Sequence, residues 1–161
     1  MQVGLMSSVM PSIEKMAAAD FEQALRKATW RNWFSWLTRK SNDLLPLARI
    51  RQCLGFKGQH DLGLQTVPMD RIVGSQGRSG DFDRAFFPRQ SRTRTRWVRI
   101  DTAYYQDVPL PPVDLVKIDE MYFVEDGNHR VSVARMRGQQ FIDAFVTEID
   151  TFVSMAEGVC S

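Results

Sequence analysis

The stretch VEDGNHRVSVARMRG, residues 124–138, constrains the fold of this chain more than any other segment. It predicts a strand, a sharp turn at Gly127 and a helix that ends at Gly138. Residues 109–126 predict two strands joined by a tight turn, and residues 140–150 predict a further strand. Together these elements indicate a small α+β domain with a mixed sheet.

Two helices are predicted ahead of this domain. Residues 12–38 contain no glycine or proline, and their apolar side chains recur at helical spacing. A second helix is predicted over residues 42–54, with Gly55 as its end. Residues 55–65 contain three glycines and predict a linker.

The predicted domain organisation follows from these patterns. We expect a helical N-terminal extension at residues 1–62, an α+β domain at residues 63–150 and a C-terminal tail at residues 151–161. Within the domain, residues 65–73 predict a strand and residues 92–106 predict a helix with one apolar face.

The turn between strand and helix has the chemistry of an anion site. The first amides of a helix have no acceptor inside the helix, and the helix dipole places partial positive charge there. Arg130 can donate two parallel hydrogen bonds to a phosphate, and His129 can carry a proton. Asp126 can accept a proton or hold a metal ion. The alternative is structural, with Asn128 as a helix cap and the other side chains solvated or half-buried.

A long loop and the helix after it supply the second set of candidates. Residues 74–91 contain three glycines and a proline, and such a long loop in a compact domain suggests a functional role. Arginines bind phosphate in fork geometry, whereas the alternative is a solvated helix face. The arginines that we consider as contacts to an anion or to nucleic acid are Arg78, Arg84, Arg92, Arg96 and Arg99.

The segment TWRNWFSWLTRK, residues 29–40, places three tryptophans and a phenylalanine between basic residues. One interpretation is a helix that lies at a membrane interface. The other is burial, either against the second helix and the α+β domain or in a homodimer. We favour burial, because the apolar residues are expected to wrap around the helix rather than to form one stripe.

Charge and cysteine content limit the partners. The net charge is +2, and the basic residues are concentrated before residue 110, which suits an anionic partner such as a nucleotide or nucleic acid. Cys53 and Cys160 lie far apart, and we expect free thiols in a reducing cytoplasm. No apolar run reaches the length of a membrane span and the N-terminus lacks an export signal, so we expect no membrane partner.

Residues 110–149, LPPVDLVKIDEMYFVEDGNHRVSVARMRGQQFIDAFVTEI, resemble the core of the ParB/sulfiredoxin superfamily. The similarity extends over residues 64–150 and is to the ParB-like, nuclease-type N-terminal domain, with DGNHR as a variant of its phosphate-binding turn. It implies a protein that binds a nucleotide, with ATP, ADP or CTP and Mg²⁺ as the candidate cofactors. The residues implied in phosphate binding are Gly127, Asn128, His129 and Arg130, and those implied in catalysis are Asp126 and His129.

Departures from the superfamily narrow the activity. In sulfiredoxins the corresponding turn resembles a Gly-Cys-His-Arg pattern. In this chain Asn128 occupies the position of that cysteine. Reduction of sulfinic acids is therefore not expected. ParB proteins continue into a helix-turn-helix domain, which we do not expect here. A free serine kinase branch has a turn closer to Asp-Gly-His-His-Arg and needs an acidic base, for which Asp81, Asp83 and Asp126 are candidates.

Three hypotheses for function remain after the sequence is read. The first is an enzyme that transfers a phosphoryl group or hydrolyses a nucleotide or phosphodiester. The second is a binding module without turnover, either ligand-gated or associated with DNA. The third is a structural role, in which the helical extension mediates assembly and the pocket is vestigial. The sequence does not choose among metals for the site.

Overall fold

The computed structural model of the protein describes residues 11–155. The helices are α1 (Ile13–Thr38), α2 (Leu47–Leu54), α3 (Arg94–Tyr105) and α4 (Asn128–Met136), with short 3-10 helices at Met69–Arg71 and Ser91–Thr93. The strands are β1 (Leu45–Pro46), β2 (Phe56–Pro68), β3 (Ile72–Ser75), β4 (Val113–Ile118), β5 (Met121–Asp126) and β6 (Phe141–Thr151).

The six strands form one mixed sheet in the order β1-β3-β5-β4-β6-β2. β1, β3 and β5 run parallel, and β4 and β6 are also parallel to each other. β5 pairs antiparallel with β4, and β6 pairs antiparallel with β2. The predicted α+β fold with a mixed sheet is confirmed.

Helices cover both faces of the sheet. α4 packs on one face through Val131 and Ala134, which contact buried residues of β4, β5 and β6. α2 packs on the other face through Leu47, Ile50 and Leu54. Successive strand residues point to opposite faces, so β4 supplies side chains to both of these clusters. This arrangement holds the start of α4 against the end of β5, where the predicted site lies.

α1 and α3 form a further layer outside α4. The buried side chains of α1 recur at helical spacing, as predicted, and pack with the indole of Trp97 on α3. The Trp97 Nε1 group donates a hydrogen bond to Ser132 Oγ of α4 at 2.9 Å. The Arg137 Nε group, just after α4, donates to Asp101 Oδ1 of α3 at 2.7 Å. These contacts fix α3 beside α4 from the middle of that helix to its C-terminal end.

Two predictions in the N-terminal region are wrong. The second helix begins at Leu47 rather than near residue 42, because the two residues before it pair with β3 as a short strand. The predicted linker at residues 55–65 is most of β2, which pairs with β6 along its length. Register shifts beside Gly58 and Gly63 accommodate these glycines within the strand pairing.

The predicted division at residues 62 and 63 falls inside β2. The division stays a prediction, and residues 1–10 and 156–161 of its outer segments lie outside the described residues.

Cys53 takes part in a disulfide, so the expected free thiol is wrong at this position, and Cys160 lies outside the described residues. Between residues 11 and 155, no helix combines the length and apolar character that are needed to cross a bilayer.

Candidate functional site

Gly127 forms the turn that joins β5 to α4. Its φ of 104° and ψ of 21° lie in the left-handed region. A Cβ at this position would come within 2.6 Å of Val113 Cγ1, so both conformation and space require glycine. The Val131 amide donates to the Gly127 carbonyl at 3.0 Å as the first bond of the helix. Gly127 is therefore the N-cap, and the alternative interpretation of Asn128 as the cap is wrong.

A cavity of about 250 Å³ opens at this turn. Its walls are residues 125–130, Gly77 and Arg78 of the loop after β3, and Arg96 and Ile100 of α3. The first amides of α4 lie in this wall and have no acceptor within the helix. The cavity thus combines a helix N-terminus with three guanidinium groups, those of Arg78, Arg96 and Arg130.

Asn128 adds a polar group to the wall that is not satisfied by the protein. The residue is only 7% exposed, and its side-chain Oδ1 is buried without a hydrogen-bond partner among residues 11–155. A buried acceptor without a donor costs about 1–3 kcal/mol, so such groups are rare in folded proteins. A ligand that brings a hydroxyl, an amide or a bound water to the cavity would satisfy it.

His129 is a neutral ring at physiological pH. It is 7% exposed and makes an edge contact with Phe82, with ring centroids 5.2 Å apart. The pKa of His129 is lowered from 6.5 to about 4. Burial is the largest cause, and the positive charges of Arg96 and Arg78 contribute to the same shift. His129 can therefore donate one hydrogen bond and accept another, but it does not carry a proton to release near pH 7.

The stability of the protein is expected to depend on pH through His129. The unfolded chain binds a proton at this residue near pH 6.5, whereas the folded chain does so only near pH 4. The neutral His129 ring therefore makes its full contribution to the free energy of unfolding above pH 6.5, and this contribution is lost as the pH falls to 4. The full shift corresponds to about 3 kcal/mol of the free energy of unfolding. Urea denaturation at a series of pH values measures it.

The variant His129→Phe keeps a ring against Phe82 and removes the titration, so its free energy of unfolding should fall less between pH 6.5 and 4 than that of the wild type. An identical pH dependence in His129→Phe and in the wild type would show that the ring is solvated.

Arg130 braces the turn from within the protein. Its side chain is 14% exposed, and Nη1 donates to the carbonyl oxygens of Pro111 and Pro112 at 2.7 and 2.6 Å. Its Nη2 donates to Asp126 Oδ2 at 2.7 Å. Arg130 lines the cavity, yet much of its hydrogen-bonding capacity is already used in holding the segment before β4 against the turn.

Asp126, a predicted catalytic residue, lies at the end of β5 with its side chain 73% exposed. Its Oδ2 accepts a hydrogen bond from Arg130 Nη2 at 2.7 Å, so one of its two oxygens is already engaged by the protein. The carboxylate remains accessible to a cation or to a ligand at the mouth of the cavity. Its position suits the binding of a metal ion with solvent access better than proton abstraction in a dry site.

Arg96 is the cation best placed for a ligand. It is exposed on α3, lines the cavity, and precedes Trp97, whose buried indole fixes this part of the helix. In the part of the chain that the structure describes, its side chain forms no hydrogen bond or ion pair. Arg78 also lines the cavity, but its Nη1 lies 3.1 Å from Asp81 Oδ2. Arg96 is therefore the more available of the two.

The other predicted arginines lie elsewhere. Arg92 forms an ion pair with the buried carboxylate of Asp81. Arg84 lines a groove beside the end of α1, and Arg99 lines a separate cavity along α3. Burial raises the pKa of Asp81, but the hydrogen bonds from Arg92 and Arg78 bring it below its ordinary value. Of the five predicted arginines, the structure brings Arg78 and Arg96 to the turn.

Asp83 holds the loop together. It is fully buried, and its Oδ1 accepts hydrogen bonds from the amides of Ala85 and Phe87, both at 2.9 Å. Its Oδ2 accepts from Arg31 Nε of α1 at 3.0 Å. Asp81 likewise forms ion pairs with Arg78 and Arg92. These two acids are therefore structural groups and not bases for an acceptor hydroxyl.

Sequence reasoning missed the contribution of Glu125, Gly77 and Ile100 to the cavity wall. Glu125 immediately precedes Asp126, which was the only signal available for it. Gly77 and Ile100 reach the site through the loop after β3 and through α3, the two segments that also supply Arg78 and Arg96.

Within residues 11–155, no group of three or more His, Cys, Asp or Glu side chains could hold a metal ion. A divalent cation at this turn would therefore take most of its oxygen ligands from a bound phosphate and from water, which is the usual coordination of Mg²⁺ in nucleotide sites. Asp126 is the carboxylate that could complete such a coordination shell.

The chain matches no protein-family model and no curated protein sequence. Among solved structures it is similar to sulfiredoxin from Arabidopsis thaliana. The two are 18% identical, with a TM-score of 0.33, and the match covers 52% of this chain and 82% of that chain. The match says nothing about the DGNHR variant or about ligands of this chain.

Proposed function

We propose that the protein binds the phosphate of a nucleotide or of another phosphorylated small molecule in the cavity at residues 125–130. The observation that carries the proposal is the buried, unpartnered Asn128 Oδ1 in the same wall as the start of α4 and Arg96. The amides and the guanidinium are donors for phosphate oxygens, and the amide of Asn128 can bond a protonated oxygen or a sugar hydroxyl.

The size of the cavity indicates which part of the ligand it holds. About 250 Å³ accommodates a phosphate group but is below the usual range for a whole nucleotide-sized ligand. A second cavity of about 550 Å³ is lined by Arg130, by Tyr104 and by residues 108–113 and 139–143. Because Arg130 borders both cavities, we propose that a nucleoside extends across it into the second one.

The neutral state of His129 and the ion pair of Asp126 favour a binding module over an enzyme. A general acid must carry a proton at the working pH, and His129 does not. Asp126 is engaged with Arg130 at the rim. A ligand-gated module without turnover is therefore the form of the proposal that the geometry supports best. Phosphoryl transfer or hydrolysis remains the second candidate, because a bound phosphate dianion would raise the pKa of His129 towards neutrality.

Thermal-shift measurements with ATP, ADP, CTP and GTP, each with and without Mg²⁺, test the proposal. At least one nucleotide should raise the melting temperature, because a ligand that binds only the folded state stabilises it. Inorganic phosphate and pyrophosphate serve as probes of the small cavity alone. If no nucleotide or phosphate shifts the melting temperature, the site is not a phosphate site.

Incubation of the binding nucleotide with the protein, followed by chromatography of the products, separates the two candidates. Intact nucleotide after long incubation supports the binding module. Released phosphate or a transferred phosphoryl group supports the enzyme.

A further inference from the structure

The last turns of α1 carry a large apolar surface that the protein does not cover. The side chains there are between 54% and 76% exposed, so their predicted burial against the second helix and the α+β domain is wrong. The residues of this surface, which we call the α1 apolar face, are Trp30, Trp33, Phe34, Trp36 and Leu37.

The α1 apolar face is a single stripe. At about 100° per residue, its five members fall within an arc of about 160° around the helix axis. The expectation that they wrap around the helix is therefore wrong. The buried residues of the first half of α1 centre on the opposite side of the helix, at about 170° from the apolar face. The face thus points away from the body of the protein.

Polar contacts hold the helix in this orientation. Arg31 on the inner side of α1 donates to the buried carboxylate of Asp83 at 3.0 Å. The Asn42 side-chain amide donates to Asn32 Oδ1 at 3.1 Å. Rotation of the apolar face towards the body would break both contacts and leave Asp83 buried without its cation. The outward face is therefore built into the fold.

Charge around the face has one sign. No acid occurs between Gln23 and Asn42, whereas this segment contains five lysines and arginines. Lys40 and Arg84 border a groove of about 570 Å³ whose walls include Trp30. A partner that binds this surface must therefore offer both negative charge and apolar groups.

We propose that the α1 apolar face rests on an anionic lipid surface, with α1 lying in the headgroup region. Tryptophan rings prefer this region, and flanking cations attract acidic lipids. A second copy of the face would set cations against cations, and Leu37 offers nothing to a nucleic-acid base. The expectation of no membrane partner rests on the lack of a membrane span and of an export signal, neither of which concerns a helix that lies on a surface. The interfacial interpretation of residues 29–40 is set aside because the apolar residues are expected to wrap around α1, and the outward stripe removes that ground. Lying on a surface requires no helix that crosses the bilayer.

Co-sedimentation of the full chain with vesicles tests this proposal. One set of vesicles contains phosphatidylcholine alone, and the other contains equal parts of phosphatidylcholine and phosphatidylglycerol. The protein should bind the anionic vesicles at least about tenfold more tightly, since each nearby cation contributes about 1 kcal/mol. Its tryptophan emission should shift to shorter wavelength on binding, as the indoles leave water.

Two variants separate the apolar and the charged contributions. Trp33→Ala with Trp36→Ala should reduce binding at least about tenfold, and Arg39→Glu with Lys40→Glu should remove the preference for anionic vesicles. Phe145→Ser is the matched control, because Phe145 is 49% exposed on β6 and lies outside the face. Circular dichroism of each variant confirms that it is folded.

Other occupants of the face would overturn the proposal. A dimer in light scattering that the tryptophan variant dissociates, without vesicle binding by the wild type, would assign the face to a second copy. Binding of single-stranded oligothymidine that quenches the tryptophans, again without vesicle binding, would assign it to nucleic acid. Failure to sediment with either kind of vesicle is sufficient to reject a lipid surface.

Discussion

Replacing Gly127 with alanine is expected to lower the free energy of unfolding by about 3 kcal/mol or more. The left-handed φ of 104° strains any residue with a Cβ, and that atom would lie 2.6 Å from Val113 Cγ1 and 3.0 Å from its Cβ. Strain and overpacking each cost about 1–3 kcal/mol. For a chain of this size the melting temperature should fall by about 6–12 °C.

Gly77→Ala is the matched control for this substitution. Gly77 lines the same cavity, but a Cβ there meets no atom within 4 Å. Its free energy of unfolding, measured by urea denaturation at pH 7, should stay within about 0.5 kcal/mol of the wild type. Equal stability of the two variants would contradict the tight left-handed turn on which the site is built.

The sequence predicts the turn and its helix because local chemistry determines both. Gly127 supplies the left-handed residue, Gly138 ends the helix, and the apolar pattern of residues 128–136 suits a buried helix. The hairpin before the turn and the strand after it have equally clear patterns, and the structure confirms them. Short-range signals are therefore sufficient for the element order around the site.

Only residues 65–68 of β2 are predicted as strand, because the sequence of the rest of β2 does not show a strand pattern. Three glycines and several polar residues lie at or beside this strand, and as an edge strand it has a mostly exposed pattern without clear alternation. Pairing with β6 overrides these local preferences. The two register shifts beside Gly58 and Gly63 allow these glycines to lie within the paired strand. The pairing of two strands that are distant in the sequence cannot be predicted from the local pattern of either strand.

The chemistry of the site depends on contacts that are distant in sequence. The neutral state of His129 depends on burial and on the cations of two other segments. The role of Arg130 depends on the carbonyl oxygens of Pro111 and Pro112, which accept its hydrogen bonds. The motif predicted where a ligand could bind, but these long-range contacts decide which side chain is available to it.

Arg96 is that side chain, and Arg96→Ala is expected to weaken binding of a phosphate ligand by about 10–100-fold. Hydrogen bonds to charged groups contribute about 1.5–3 kcal/mol, and in the described chain Arg96 has no carboxylate to compete for it. Titration with the nucleotide that gives the largest thermal shift measures the loss. Arg99→Ala is the matched control, because Arg99 lies on the same helix but lines a different cavity.

The same variant has a readout that needs no ligand. The charge of Arg96 contributes to the lowered pKa of His129, so Arg96→Ala should raise the pKa of His129 from about 4, as followed by NMR titration of the ring. Arg99→Ala should leave it unchanged. A raised pKa with unaltered nucleotide affinity would confirm that Arg96 lies at the cavity and would place the phosphate elsewhere. An unaltered pKa would show that Arg96 does not face His129, and a loss of affinity would then need another cause.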